Sequence, residues 1–199
     1  MAEETPMPGT APYLDRRLTY DDFLLFPDDG KRHEIIDGEH YVTPSPNTRH
    51  QRLVRRLLLS VGQYLESHPG VGEVFGAPFD VVLSFHDVVE PDLLFIAADQ
   101  EGVLTDKNVE GPPALVIEVL SKDTRKKDAQ TKRRLFERTG VREYWLVDPE
   151  LDLVQVLRRS ADGKLVRVEE VTAEDDGVLT TPLLPGWQLA MRTFFAEPT

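Results

Sequence analysis

Two carboxylates stand where apolar strand residues are expected. In Leu115 to Ser121 (LVIEVLS), Glu118 interrupts a run of aliphatic side chains, and Asp92 opens DLLFIA directly after Pro91. Ionised acids are rarely buried unless they are paired or bound to metal, so Glu118 needs a partner. If the two strands are neighbours, Asp92 and Glu118 converge at one sheet edge. There they repel, and one holds its proton unless a divalent cation neutralises both. Mg²⁺ takes one or two carboxylates, keeps several waters and completes its shell with substrate phosphate oxygens, which suits this pair to Mg²⁺ or Mn²⁺. The structural alternative is that Asp92 caps a turn and Glu118 meets an arginine from a helix.

The helix after Glu118 adds a third group. On a helical wheel Asp128, Lys132, Leu135 and Phe136 share a face, whereas Lys126, Lys127, Arg133, Arg134 and Glu137 point elsewhere. Leu135 and Phe136 must face the sheet, and Lys132 goes with them. A lysine there is placed to orient or deprotonate a water nucleophile. Its alternatives are to snorkel past Phe136 to solvent or to pair with Asp128.

The elements that must carry these residues follow from periodicity. Thr19 is expected to cap a short helix through Phe26, and HEIIDGEHYVT reads as a hairpin turned at Asp37-Gly38. After the capping cluster SPNT, residues 49–67 place Leu53, Val54, Leu57, Val61 and Tyr64 on one helical face, with His50 one turn before that stripe. GEVFG, PFDVVLS and VVEPDLLFIA read as strands, and an irregular segment from Ala98 to Ala114 leads into LVIEVLS. A helix over 123–139, started by Ser121 or Asp123, ends at Gly140. EYWLVDP and LVQVLRR form a strand pair, and GKLVRVEEV adds another. Strands, a helix and further strands imply a crossover and a mixed sheet with helices on its faces.

The 199 residues, 40% of them hydrophobic, suffice for one core, expected over 15–196 after a disordered, Pro-rich leader at 1–14. There is no long apolar run and no signal-peptide pattern, so a cytoplasmic chain with no membrane partner is expected. With no cysteine, disulfides, thiolate zinc sites and a cysteine nucleophile are excluded. The net charge of −12 argues against nucleic acid globally, but its distribution does not. Arg49, Arg52, Arg55 and Arg56 cluster without an acid, and residues 121–138, with Lys122, Arg125 and Lys126, carry a local excess of basic side chains. Those seven are the candidate phosphate contacts, with solvated helix faces as the alternative.

Pro91-Asp92 and the Glu118 of EVLS resemble the PD-(D/E)XK signature of the restriction-endonuclease-like superfamily. The wider frame of HEIIDGE, SPNTRHQRLV, GEVFGAPFDVVLS, EPDLLFI, LVIEVLS, GVREYWLVDP and PLLPGW is similar to the Uma-two family of endonucleases, over residues 15–196. The resemblance implies a restriction-endonuclease-like α/β/α core, with a mixed central β-sheet flanked by helices and an N-terminal hairpin. It also implies metal-dependent hydrolysis of DNA phosphodiester bonds. Asp92 and Glu118 would be the metal-binding acids, with the backbone carbonyl of Val119 a further ligand. The superfamily lysine stands two residues after the acid, where this chain has Leu120; in the Uma-two pattern it has moved into the following helix, which points to Lys132. Glu34, His50 and Asp128 match family positions without defined roles, and an ordinary helix N-terminal histidine is the alternative for His50. A homodimer is the assembly the superfamily suggests. The other two readings are a binding module that kept the fold and lost turnover, and a phosphodiesterase acting on another substrate.

Overall fold

The computed structural model describes residues 17–197, and the expected leader at 1–14 lies outside them. Thr19 caps α1 (Tyr20–Phe23) through a reciprocal capping box with Asp22. This helix is shorter than expected: Leu25 and Phe26 bond back only three residues as the chain tightens before Pro27. Asp37 and Gly38, with φ of 55° and 79°, turn β1 (Arg32–Ile36) into β2 (Glu39–Thr43), the backbone a two-residue hairpin demands. The Asn47 side chain accepts the His50 N–H to start α2 (Thr48–Ser67), which buries His50, Leu53, Leu57 and Val61.

There follow β3 (Gly72–Gly76), β4 (Val81–Ser84), β5 (Asp87–Val89) and β6 (Leu93–Ala97). The run VVEPDLLFIA divides at Glu90-Pro91-Asp92, where the chain leaves one sheet for another and Pro91 has no N–H to give either ladder. The segment expected to be irregular holds a 3₁₀ turn at Ala98–Val103 and β7 (Val109–Glu110), which lies parallel to β4. After β8 (Leu115–Val119), the expected single helix contains a π-helical stretch, Lys127–Lys132, before α3 (Arg133–Thr139), which the left-handed Gly140 ends. β9 (Glu143–Asp148), β10 (Leu153–Arg159), β11 (Leu165–Thr172), β12 (Val178–Leu179), β13 (Leu189–Ala190) and α4 (Met191–Phe195) complete the described chain.

The central sheet runs β11-β10-β9-β8-β6-β3, antiparallel except for the β8–β9 pair, so it is mixed as expected. Every residue of β8 is buried. Leu115, Ile117 and Val119 pack with Leu53, Leu57 and Val61 of α2; Val116 and Leu120 pack on the opposite face with Leu135 and Phe136 of α3. The fold is therefore α/β with helices on both faces of the sheet. A second sheet, β2-β1-β5-β4-β7, contributes Ile36, Val81, Val89 and Val109 to the α3-side core. This brings the N-terminal hairpin over the same face as Glu118. No helix among the described residues is long and apolar enough to cross a membrane.

The approach of β3 to β6 depends on one glycine. Gly72 has φ of 147°, and a Cβ there would lie 2.2 Å from the Ile96 carbonyl oxygen and 2.8 Å from the Phe95 ring. Gly72→Ala is expected to cost roughly 2–4 kcal/mol through overpacking and backbone strain combined. Urea denaturation measures it, and a loss under about 0.5 kcal/mol would mean that the edge strand shifts freely.

Candidate active site

The partner of Glu118 is Lys132. β6 and β8 pair with Leu93 opposite Ile117, which sets Asp92 and Glu118 side by side one step further along. Glu118 alternates with Val116 and Leu120 onto the α3 face, where the Lys132 ammonium donates to its Oε1 at 2.6 Å. Lys132 is only 2% exposed and also contacts Glu34 at 2.6 Å and Asp128 at 3.8 Å. Asp128, Lys132, Leu135 and Phe136 are all buried, as the wheel places them. Lys127 is not where the wheel puts it. Its ammonium donates to Glu34 Oε2 at 2.7 Å and Thr43 Oγ1 at 3.0 Å, because a π-helical turn alters the angular step between successive side chains.

Asp92 is held from three sides. Its Oδ1 accepts Arg32 Nη1 at 2.7 Å; its Oδ2 accepts His50 Nε2 at 2.9 Å and the Val119 N–H at 2.8 Å. An ionised carboxylate only accepts, so His50 carries its proton on Nε2 for this bond. His50 Nδ1 is then left without a hydrogen-bond partner among the described residues, as is Asp128 Oδ1, whose Lys132 neighbour stands at 3.8 Å. Sequence reasoning missed Arg32, although a signal existed. Arg32 stands two residues before Glu34, so the period of the strand puts both on one side of β1.

The titration order follows from this packing. Burial works against charge on Glu34, but Lys132 and Lys127 together hold it at about 2. Burial is likewise outweighed at Asp92, where the His50 hydrogen bond and the Arg32 charge hold it at about 2. At Glu118 burial prevails: aided by Asp128, Asp92 and Glu34 and opposed by Lys132, it pushes the carboxyl up to about 8. Lys132 stays charged, since Glu118, Glu34 and Asp128 outweigh its desolvation. Asp128 is raised, chiefly by burial. With all four acids ionised against Lys127, Lys132 and Arg32, the cluster would carry one net negative charge, and Glu118 is the acid whose ionisation waits for more positive charge.

These groups line a cleft of about 490 Å³, rimmed by Pro44–Pro46 and by Ser121 to Thr124. As hard oxygen donors, Asp92 and Glu118 match Mg²⁺ or Mn²⁺ in kind. Among the described residues no group of three His, Cys, Asp or Glu side chains stands together as a metal site. A cation here would thus draw on two acids, backbone and water or substrate oxygens. Of the basic candidates, Arg49 and Lys122 line the cleft. Arg49 also pairs with Asp152 at 2.6 Å and with Glu197, Arg52 reaches Glu197 at 3.3 Å, and Arg56 donates to the Phe194 and Ala196 carbonyls. Arg125 is paired with Asp148 and Glu150. The side chains of Arg55 and Lys126 make no hydrogen bond or ion pair with a described residue.

The chain is similar in fold to the crystal structure of a "putative nuclease belonging to DUF820" from Anabaena variabilis. The two align with a TM-score of 0.74 over 89% of this chain and 97% of that chain, at 18% identity, a likeness of fold alone. No curated protein sequence matches the chain. The profile of one protein family, described as "Putative restriction endonuclease", matches residues 20–192, the span that supplies both sheets and the whole cluster around Lys132. On that match the chain belongs to the Uma2 family.

Proposed function

We propose that the chain is a metal-dependent nuclease that takes a DNA phosphodiester into the cleft at Asp92, Glu118 and Lys132. The observation supporting it is the 2.6 Å contact of a fully buried lysine with Glu118 beside Asp92, the lysine coming from the following helix and not from position 120. Asp92, Glu118 and the Val119 carbonyl would hold Mg²⁺ or Mn²⁺; a bound cation of that kind lowers the pKa of a water and polarises a phosphate oxygen. Lys132 offsets charge developing on the phosphate, and Glu34 keeps its ammonium in place. His50 and Arg32 hold Asp92 ionised and oriented.

A specific observation favours a second reading, that of a nucleic-acid-binding module with the nuclease fold and little or no turnover. Both acids already have resident cationic or hydrogen-bonding partners, and among the described residues no third acid or histidine joins them as a metal group. That charge balance supports the second reading more directly than the first. Incubation with supercoiled plasmid in Mn²⁺ or in EDTA separates them. Nicking in Mn²⁺ that disappears in Glu118→Gln is expected for a nuclease. DNA retention without nicking selects the binding module, and neither retention nor nicking would overturn both.

A further inference from the structure

Two smaller hollows continue the active-site cleft along the outer face of the helical run 125–139. The first, of about 390 Å³, shares Pro44, Asp123, Thr124 and Lys127 with the cleft and adds Lys126, Gln130 and Thr131. The second, of about 420 Å³, shares Gln130 with the first and reaches Arg133, Arg134 and Glu137. Together they make a path from the mouth of the cleft along the helix. Each hollow has two basic side chains against one acid. Lys127 is taken by Glu34 and Thr43, Arg133 donates to the Leu165 carbonyl, and Glu137 is turned to Lys164 and the Leu165 N–H. That leaves Lys126, Gln130 and Arg134, all exposed, whose side chains make no hydrogen bond or ion pair with a described residue. In a regular α-helix, positions eight apart lie about 80° apart around the axis. The π-helical turn at Lys127–Lys132 absorbs about one residue, which returns Arg134 close to the line of Lys126 and Gln130. The face of α2 differs. Arg49, Arg52 and Arg56 are held there by acids and carbonyls, and of its candidate arginines Arg55 alone lacks such a partner among the described residues.

We infer that the DNA strand flanking the scissile phosphodiester leaves the cleft along this helix, with its phosphates against Lys126, Gln130 and Arg134, and does not run over α2. The inference rests on the proposed function, which supplies the phosphodiester at Asp92 and Glu118. Eight residues at about 1.5 Å each give the stripe a length of about 12 Å, enough for more than one phosphate of a strand whose charges recur about every 3.4 Å along a duplex axis. An ammonium, an amide and a guanidinium in a row are donors suited to phosphate oxygens, and their freedom from internal partners means that binding breaks no existing ion pair. Asp123, the acid at the junction with the cleft, is exposed, so solvent and salt screen its repulsion. Contacts of this kind fix where the strand lies without reading its sequence. They also account for DNA binding by a chain of net charge −12, since the positive charge that counts is local.

Anisotropy titrations with a labelled duplex oligonucleotide, in Ca²⁺ and over a series of salt concentrations, test this. Each phosphate contact contributes about 0.9 to the slope of log K against log salt. Lys126→Glu/Arg134→Glu is therefore expected to reduce that slope by about 2 and to weaken binding more than about tenfold near 0.1 M salt. Lys107→Glu/Arg192→Glu makes the same change in net charge at exposed residues that line neither the cleft nor the two hollows, and should leave the slope nearly unchanged. All four positions are on the surface, so Tm should stay close to that of the wild type in both variants. An unchanged slope in Lys126→Glu/Arg134→Glu, or an equal fall in Lys107→Glu/Arg192→Glu, overturns the inference and leaves the proposed function standing. A larger fall in Arg55→Glu than in Lys126→Glu overturns it as well, by placing the strand over α2. A wild type that binds no oligonucleotide removes the proposed function and this inference together.

Discussion

Lys132→Met is expected to destabilise the protein by about 3–5 kcal/mol at pH 7.5, because it leaves buried carboxylates without the charge that balances them. That is a large part of the stability of a typical domain. The ammonium touches Glu34 and Glu118 at 2.6 Å each and Asp128 at 3.8 Å, and these three acids are 1–2% exposed. Two controls separate charge from packing. Glu34→Gln in the Lys132→Met background should restore most of the loss, since a buried ion pair replaced by neutral groups of similar size is often nearly neutral. The deficit should also shrink near pH 5, where the abandoned acids hold protons in the folded state. In the wild type, Glu34 and Asp92 behave oppositely. Their pKa values of about 2 lie below the unfolded values, so the stability they add is present above about pH 4 and lost as pH falls toward 2. Urea curves at both pH values measure these effects. A loss below about 1 kcal/mol at pH 7.5 would mean that Lys127 and Arg32 neutralise the site without Lys132.

The parts of this site that were legible in the sequence are those that break a local rule. Glu118 within an aliphatic strand, Asp92 at the mouth of another and Lys132 on an apolar helix face each contradict the pattern around them, and conflicts of that kind gather at functional sites. Arg32 breaks no rule, since an arginine opening a hairpin is ordinary, and its tie to Asp92 spans 60 positions in the chain. Lys127 was hidden because a regular wheel assumes a regular helix, and periodicity gives no sign of a π-helical turn. The second sheet was equally hidden. Its strands are legible one by one, but the β1–β5 and β4–β7 pairings depend on long-range packing. The arginines of α2 read as a phosphate track because a charge pattern does not reveal partners, and the acids and carbonyls that engage Arg49 and Arg56 lie about 100 residues or more away.

Glu118 should govern both the pH dependence of stability and the response to metal. Its folded pKa of about 8 lies above the ordinary value of 4.5, so between those limits the folded state holds a proton that the unfolded state has released. Stability from this group is therefore full below about pH 4.5 and declines as pH rises toward 8, by at most about 1.4 kcal/mol per pH unit. Glu118→Gln should flatten that decline and make the metal-free protein more stable than wild type at pH 8. A divalent cation reverses the preference, because it binds the ionised carboxylate and must displace the proton. The apparent Kd for Mn²⁺ should accordingly tighten about tenfold per pH unit between pH 6 and 8 and level off above that. At a hundredfold excess over Kd, the bound ion adds about 2.7 kcal/mol, a clear rise in Tm. In Glu118→Gln the rise should be absent at every pH. A Mn²⁺ response of equal size at pH 6 and pH 8.5 would show that no proton is displaced, and one that persists in the mutant would place the ion elsewhere. Either result would leave Glu118 as the counter-ion of Lys132 alone, which is the arrangement a binding module without turnover requires.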